Sequence, residues 1–222
     1  FLSKESVDET CLPKIISEIP INSNIVIGHA YGSKKNDYIS EKVKFFLDNQ
    51  KNNILSLILT GDVFDKPSLN KWNKLYQAKE YKIYVAPGNH DVGNDNDNAR
   101  RDVFNIANAK NQIKDLPYIL MENNSAFVIT DSSKNPSNFE QIINLIKEYN
   151  DKHIIFFMHH VSINEMNRFA NSKRSTNQIF DTKFLEKKLS NYKKVTFIYG
   201  DGGTGSLPRI ACYQHANINH II

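Results

Sequence analysis

No apolar run in the chain approaches the length of a membrane span, so no segment reads as a transmembrane helix. Cysteine is scarce: Cys11 and Cys212 lie near opposite ends, too few for a disulfide framework. Two free buried thiols are the expectation, with a bridge between them as the alternative in an oxidising compartment. Charge of one sign is lacking too. The 28 basic side chains stand against 24 acidic ones, for a formal charge of +4, and the positive charges are scattered. There is thus no clear nucleic-acid surface. No serine occupies a nucleophile-elbow context, so no Ser/His/Asp triad is nominated. Internal repeats and interdomain linkers are absent as well. The chain opens on Phe1 rather than methionine and closes on Ile221-Ile222 in what reads as a strand. A removed leader or anchor and a truncated C-terminus are therefore expected, and the compartment stays open between cytoplasmic and exported or membrane-anchored.

The 222 residues, 40% of them apolar and 23% charged, suit one well-buried α/β domain. Roughly the first 20 residues read as a peripheral extension. Short apolar runs alternate with helical spacing. Strands are predicted at Ile25 to Ile27, 54–60, 82–88, 125–131, 153–160 and 195–201, and a C-terminal hairpin turns through Ala216-Asn217-Ile218-Asn219. Helices are predicted around Ile39, Val43, Phe46 and Leu47, with Asp37 or Ser40 as cap, and around Leu69, Trp72, Leu75 and Tyr76. Three more fall at Val103 to Ala107, Phe139 to Ile146 and Phe184 to Leu189.

In open α/β sheets, ligands bind beyond the carboxyl ends of the strands. The polar residues just past each apolar run are His29 and Tyr31, Asp62 and Asp65, then Asn89, His90 and Asp91, then His159 and His160, and finally Asp201. One histidine after a strand is usually a satisfied rim residue. Five strand ends carrying metal-competent or acid/base groups point to a site.

Three blocks carry a resemblance. Thr60-Gly61-Asp62-Val63-Phe64-Asp65, Pro87-Gly88-Asn89-His90-Asp91 and Met158-His159-His160 resemble signature blocks of the calcineurin-like metallophosphoesterases in order, separation and strand context. The likeness runs from about residue 24 to the C-terminus. It implies an α/β fold of four layers, an α/β/β/α sandwich, with two metals at the strand ends. It also implies hydrolysis of an anionic phosphorylated substrate, a phosphomonoester or a phosphodiester. A bridging carboxylate would hold two cations that activate water for in-line attack on phosphorus. By resemblance Asp62 is that carboxylate, and Asn89 and His159 are ligands of the second metal. His90 protonates the leaving oxygen or steadies the phosphoryl oxygens, and Asp91 orients His90 through its other ring nitrogen.

Two blocks depart from the family. Its Asp-x-His reads His29-Ala30-Tyr31 here, and its Gly-His-x-His reads Gly200-Asp201-Gly202-Gly203. The first metal site loses most of its ligands. The second keeps Asp62, Asn89 and His159 and gains Asp201, a harder set that favours Mn or Mg over Zn and leaves one or two ions open. His29 is itself a competent ligand, so a rearranged shell is a further alternative. Tyr31, His160, Arg168 and Arg174 are candidate substrate contacts, joined by Lys173, Arg100 and Arg101, and for these five cations a solvated loop is the reading taken first. The Gly202 to Ser206 run reads as a tight turn before it reads as a phosphate cradle, and Asp95 and Asp97 as a solvated loop before a calcium site. Two functions stay open: a hydrolase with an atypical site, and an inactive relative serving as a binding or scaffold module, as in a cell-envelope or polysaccharide assembly.

Overall fold

The computed structural model describes residues 18–32, 37–78, 80–93, 98–133, 139–169, 180–202 and 211–222. Cys11, Asp95, Asp97, Lys173, Arg174 and the 203–206 run lie outside them. Branched and aromatic residues build two sheets. In the first, β1 (Ser23–Gly28), β2 (Ile54–Thr60) and β3 (Lys82–Val85) run parallel in the order β1-β2-β3. The second holds β4 (Tyr118–Glu122), β5 (Ser125–Ile129), β6 (His153–Met158), β7 (Lys194–Tyr199), β8 (Cys212–His215) and β9 (Ile218–Ile221) in the order β4-β5-β6-β7-β9-β8. Strands β5, β6, β7 and β9 are parallel, with β4 and β8 antiparallel at the edges.

The helices are α1 (Glu41–Asn49), α2 (Leu69–Tyr76), α3 (Asn89–Val92), α4 (Asn98–Lys110), α5 (Phe139–Ile146) and α6 (Thr182–Leu189). Side chains that accept a backbone N–H cap three of them: Ser40 on α1, Ser68 on α2 and Asp181 on α6. Asp37, the other cap expected for α1, instead takes the Lys66 N–H and pairs with Lys71.

The strands' period of two sorts their side chains into layers. On β2, Leu57 and Leu59 join Trp72, Leu75 and Phe104 beneath α2 and α4, while Ile58 faces the other way. On β6, Ile154, Phe156 and Met158 pack with Ile142, Ile146 and Leu185 beneath α5 and α6, and Phe157 faces back. Ile58, Ala86, Phe127, Ile129 and Phe157 then form the layer between the sheets. Apart from Ala86 these are large side chains, each more than nine-tenths buried and worth about 1.5–3 kcal/mol apiece before entropy is charged. The four-layer expectation matches this arrangement.

Some details differ from the sequence reading. Strand β4 went unpredicted, because Tyr118 to Glu122 is a short run that does not alternate cleanly. The C-terminal hairpin exists, but its turn is only Ala216 and Asn217, with Ala216 at φ 48°, and Ile218 and Asn219 belong to β9. The expectation of free thiols is corrected at Cys212, which is disulfide-bonded. No described helix is long and apolar enough to cross a membrane.

The two sheets close on each other at their carboxyl ends, and glycine makes this possible. A Cβ on Gly200, just past β7, would sit 1.6 Å from the Thr60 carbonyl oxygen at the end of β2. Gly61 (φ 85°) leaves room in the same way for the His159 ring, which a Cβ there would meet at 2.5 Å. Side chains from β1, β2, β6 and β7 are thereby brought within reach of one another.

Candidate functional site

Asp62 follows β2 in left-handed backbone, φ 51°, and His29 follows β1 at φ 47°. For non-glycine residues this conformation costs on the order of 1–2 kcal/mol and concentrates at functional sites. The turns are stitched together, with Tyr31 N–H donating to the Asp62 carbonyl at 3.1 Å. Asp62 Oδ1 accepts the His90 N–H at 3.0 Å and faces His159 Nε2 at 3.4 Å, while Oδ2 faces His29 Nδ1 at 3.4 Å. Both imidazole nitrogens are buried and have no hydrogen-bond partner among the described residues. They contact the carboxylate electrostatically, too far for a good hydrogen bond. Orphaned buried polar atoms are rare and need an explanation.

The tautomer of His159 follows from its other nitrogen. Nδ1 stands 2.9 Å from the Thr60 carbonyl oxygen, which only accepts, so Nδ1 carries a proton and Nε2 looks at Asp62. Burial alone would depress the His159 imidazole. Its pairing with Asp62, helped by Asp201 and the Thr60 carbonyl, outweighs burial and lifts it to about 9. Burial likewise pushes the Asp62 carboxyl up, but the facing His159, His90 and His29 hold it at about 2. His29 is lowered, chiefly by burial and against the pull of Asp62, so it presents a neutral ring.

The nearest ligand atoms of His29, Asp62 and His159 all lie within 4.8 Å of one another, as do those of His159, His160 and Asp201. Two imidazoles and a carboxylate suit a divalent cation, and the unpartnered nitrogens are what such an ion would satisfy. His159 belongs to both groups, with His29 and Asp62 in one and His160 and Asp201 in the other. Asn89 meets these groups through His160, its Oδ1 3.1 Å from His160 Nε2.

Asp91 is corrected. Its carboxylate is fully buried, Oδ1 accepting the Val63 N–H and Oδ2 the Gly88 N–H, both at 2.9 Å. It ties the loop after β2 to the loop after β3 instead of orienting the His90 ring, because backbone donors take both oxygens. Burial, with the charge of Asp62, lifts its carboxyl to about 7 against those two donors. His90 is half-buried on α3, its ring 5.5 Å from that of Tyr31. Tyr31 in turn lies 4.7 Å from His29. Burial and the carboxylates of Asp62, Asp65, Asp91 and Asp201 raise the Tyr31 phenol to about 12, so it keeps its proton.

Arg101 is likewise corrected as a substrate contact. Its guanidinium pairs with Asp131 and reaches Ser133 Oγ at 3.1 Å, clamping α4 to the turn after β5. Arg100 Nη1 donates to the His90 carbonyl at 3.1 Å. Arg168 sits in the 3-10 turn Asn164–Phe169, of which only its backbone is described. The sequence reading also missed Ser132, whose hydroxyl contacts His159 and His160. Collecting the polar residues after SAFVIT, as was done at the other strand ends, would have found it.

No curated protein matches the chain. The family model of the calcineurin-like phosphoesterases matches residues 28–202, a span that holds every strand end contributing to this cluster. With that match over most of its length, the chain belongs to the calcineurin-like phosphoesterase family.

Proposed function

We propose that the chain is a divalent-metal-dependent hydrolase of phosphoric esters with one cation per chain, held by His29, Asp62 and His159 and completed from the side of Asp201. The observation that carries this is the pair of buried, unpartnered nitrogens, His29 Nδ1 and His159 Nε2, aimed at one carboxylate. Asn89, beside His160, is the next group able to reach the ion. Both candidate triads need His159, which has a single nitrogen to offer once Nδ1 is bound to Thr60. That sharing argues for one ion over two. Of the cations favoured by the ligand count, Mn accommodates two imidazoles better than Mg, which prefers oxygen.

When bound, the cation would supply Lewis-acid polarisation of a phosphoryl oxygen and activation of water. The chain's own groups do the rest. His90, on the half-exposed rim, gives a proton to the leaving oxygen as the P–O bond breaks. Tyr31 keeps its phenolic proton and donates a hydrogen bond to the phosphoryl group. Asp91 holds the loops that carry Asp62 and His90 in register. His160 belongs to the shell around Asn89.

The test is turnover of an aryl phosphomonoester and an aryl phosphodiester with Mn, Mg or Zn added, alongside metal content per chain. Turnover with one ion per chain, lost in His90→Ala with the ion retained, supports the reading. No turnover with any metal sinks it. A second reading, a fold kept for binding alone, draws on the His159–Asp62 pair, because an imidazolium beside a carboxylate is self-neutralising without any cation. Metal binding that fails at neutral pH would favour that reading.

A further inference from the structure

We infer that Ser132 is a positioning residue of this centre, acting through the His160 ring on the Asn89 carboxamide. The consequence for metal binding rests on the proposed function, whereas the geometry does not. Ser132 lies just past β5, and its Oγ meets three groups of the segment after β6. These are the His159 N–H at 3.2 Å, the His160 N–H at 3.0 Å and His160 Nδ1 at 3.1 Å. A hydroxyl has one proton and two lone pairs. The two backbone groups can only donate, so they occupy both lone pairs and leave the hydroxyl proton for His160 Nδ1. That nitrogen must accept, which places the proton of the neutral ring on Nε2.

His160 Nε2 stands 3.1 Å from Asn89 Oδ1, so the ring donates to the amide oxygen. The same bond fixes which end of the Asn89 amide faces His160. An oxygen has a second lone pair, and the amide so oriented keeps it available to a cation. Without the serine, Nδ1 loses the donor that keeps it bare, and in the other tautomer a bare Nε2 would call for the amide NH2 in place of the oxygen. One hydroxyl thus decides the orientation of a side chain 43 positions away in sequence, from Asn89 to Ser132.

The turn that carries Ser132 is itself fastened. Asp131 accepts the Ser133 N–H at 2.9 Å and pairs with Arg101. Arg101 belongs to α4, the helix that follows the Asn89 segment. The path Asn89, His160, Ser132, Asp131 and Arg101 therefore closes on itself, and rigid closure is how supporting residues hold a ligand in place.

The experiment compares the full chain with Ser132→Ala and Ser132→Thr, reading the His160 tautomer by nitrogen-15 histidine shifts and Mn affinity by calorimetry. The wild type and Ser132→Thr are expected to show the Nε2–H tautomer. Ser132→Ala should show a mixture, with Mn bound about tenfold more weakly, and Ser132→Thr should restore the affinity. A wild-type ring in the Nδ1–H form overturns the inference, and this reading survives even if Ser132→Ala does not fold. An unchanged tautomer in a folded Ser132→Ala, or equal loss of affinity in both variants, overturns it as well. A wild-type chain that binds no Mn defeats the metal reading, while the tautomers still decide the role of Ser132.

Discussion

Two clusters of buried histidine lie in this molecule, and they differ in one respect. At the strand ends, His29 and His159 face Asp62 with nitrogens that have no hydrogen-bond partner among the described residues. At the far side of the second sheet, His215 and His220 face each other Nε2 to Nε2 at 2.9 Å, and every ring nitrogen there has a partner. His215 Nδ1 meets Glu186 at 3.0 Å, His220 Nδ1 meets the Tyr199 hydroxyl at 2.7 Å, and Tyr199 meets Ser162 at 2.7 Å. The His220 ring is stacked on Phe197, centroids 5.0 Å apart. Burial and clustering are common to both, so neither marks a site. The partners of the ring nitrogens do: the second cluster is a closed ladder that knits the β8–β9 hairpin to β7, whereas in the first two imidazoles turn to one carboxylate.

The largest expected effect tests that contrast directly. Asp62→Asn should weaken Mn binding by more than a hundredfold, whereas His220→Phe should leave affinity and one-ion stoichiometry unchanged, both read by calorimetry. Equal effects would erase the distinction. Next, Mn at about 100 times its dissociation constant should raise unfolding free energy by about 2.7 kcal/mol in the wild type and in His220→Phe. The same addition should do nothing for Asp62→Asn in denaturant titrations.

The pH response separates the clusters in a smaller range. Burial first, and then His215, hold His220 at about 3, below its ordinary 6.5. Its contribution to stability is complete above 6.5 and is lost as pH falls towards 3. The slope is at most about 1.4 kcal/mol per pH unit. Asp91, raised to about 7, gives the opposite slope over part of that window, since protonation favours its folded state. The measurement is therefore the difference between the wild type and His220→Phe, which should shrink as pH falls. Asp62 titrates lower: its stability is lost as pH drops from the ordinary 3.8 to about 2. The smallest effect is expected for Tyr31→Phe, a several-fold fall in turnover with metal affinity intact, as for the loss of one hydrogen bond.

Much of this could be read from the residues in order. Apolar runs of the right length gave the central strands, and the polar residue after each run located the site edge, from His29 round to Asp201. Three motif blocks sufficed for the family. The failures have a shared cause. Strand β4 is recognised only by its pairing with β5, and Asp91 was misassigned because a motif says which residue is present, not which donors stand beside it. Arg101 went the same way, a cation beside a histidine motif that folding spends on Asp131.

Sequence alone determined the alternation of elements, the types of ligand available and the replacement of Asp-x-His by His29-Ala30-Tyr31. It could not determine whether His29 rebuilds a shell or marks a lost one, because that depends on distances between strands far apart in the chain. The tertiary structure set those distances by closing the two sheets at Gly61 and Gly200, where no side chain stands in the way. That approach sets His159 against Thr60, fixes its tautomer and turns its free nitrogen, with that of His29, onto Asp62.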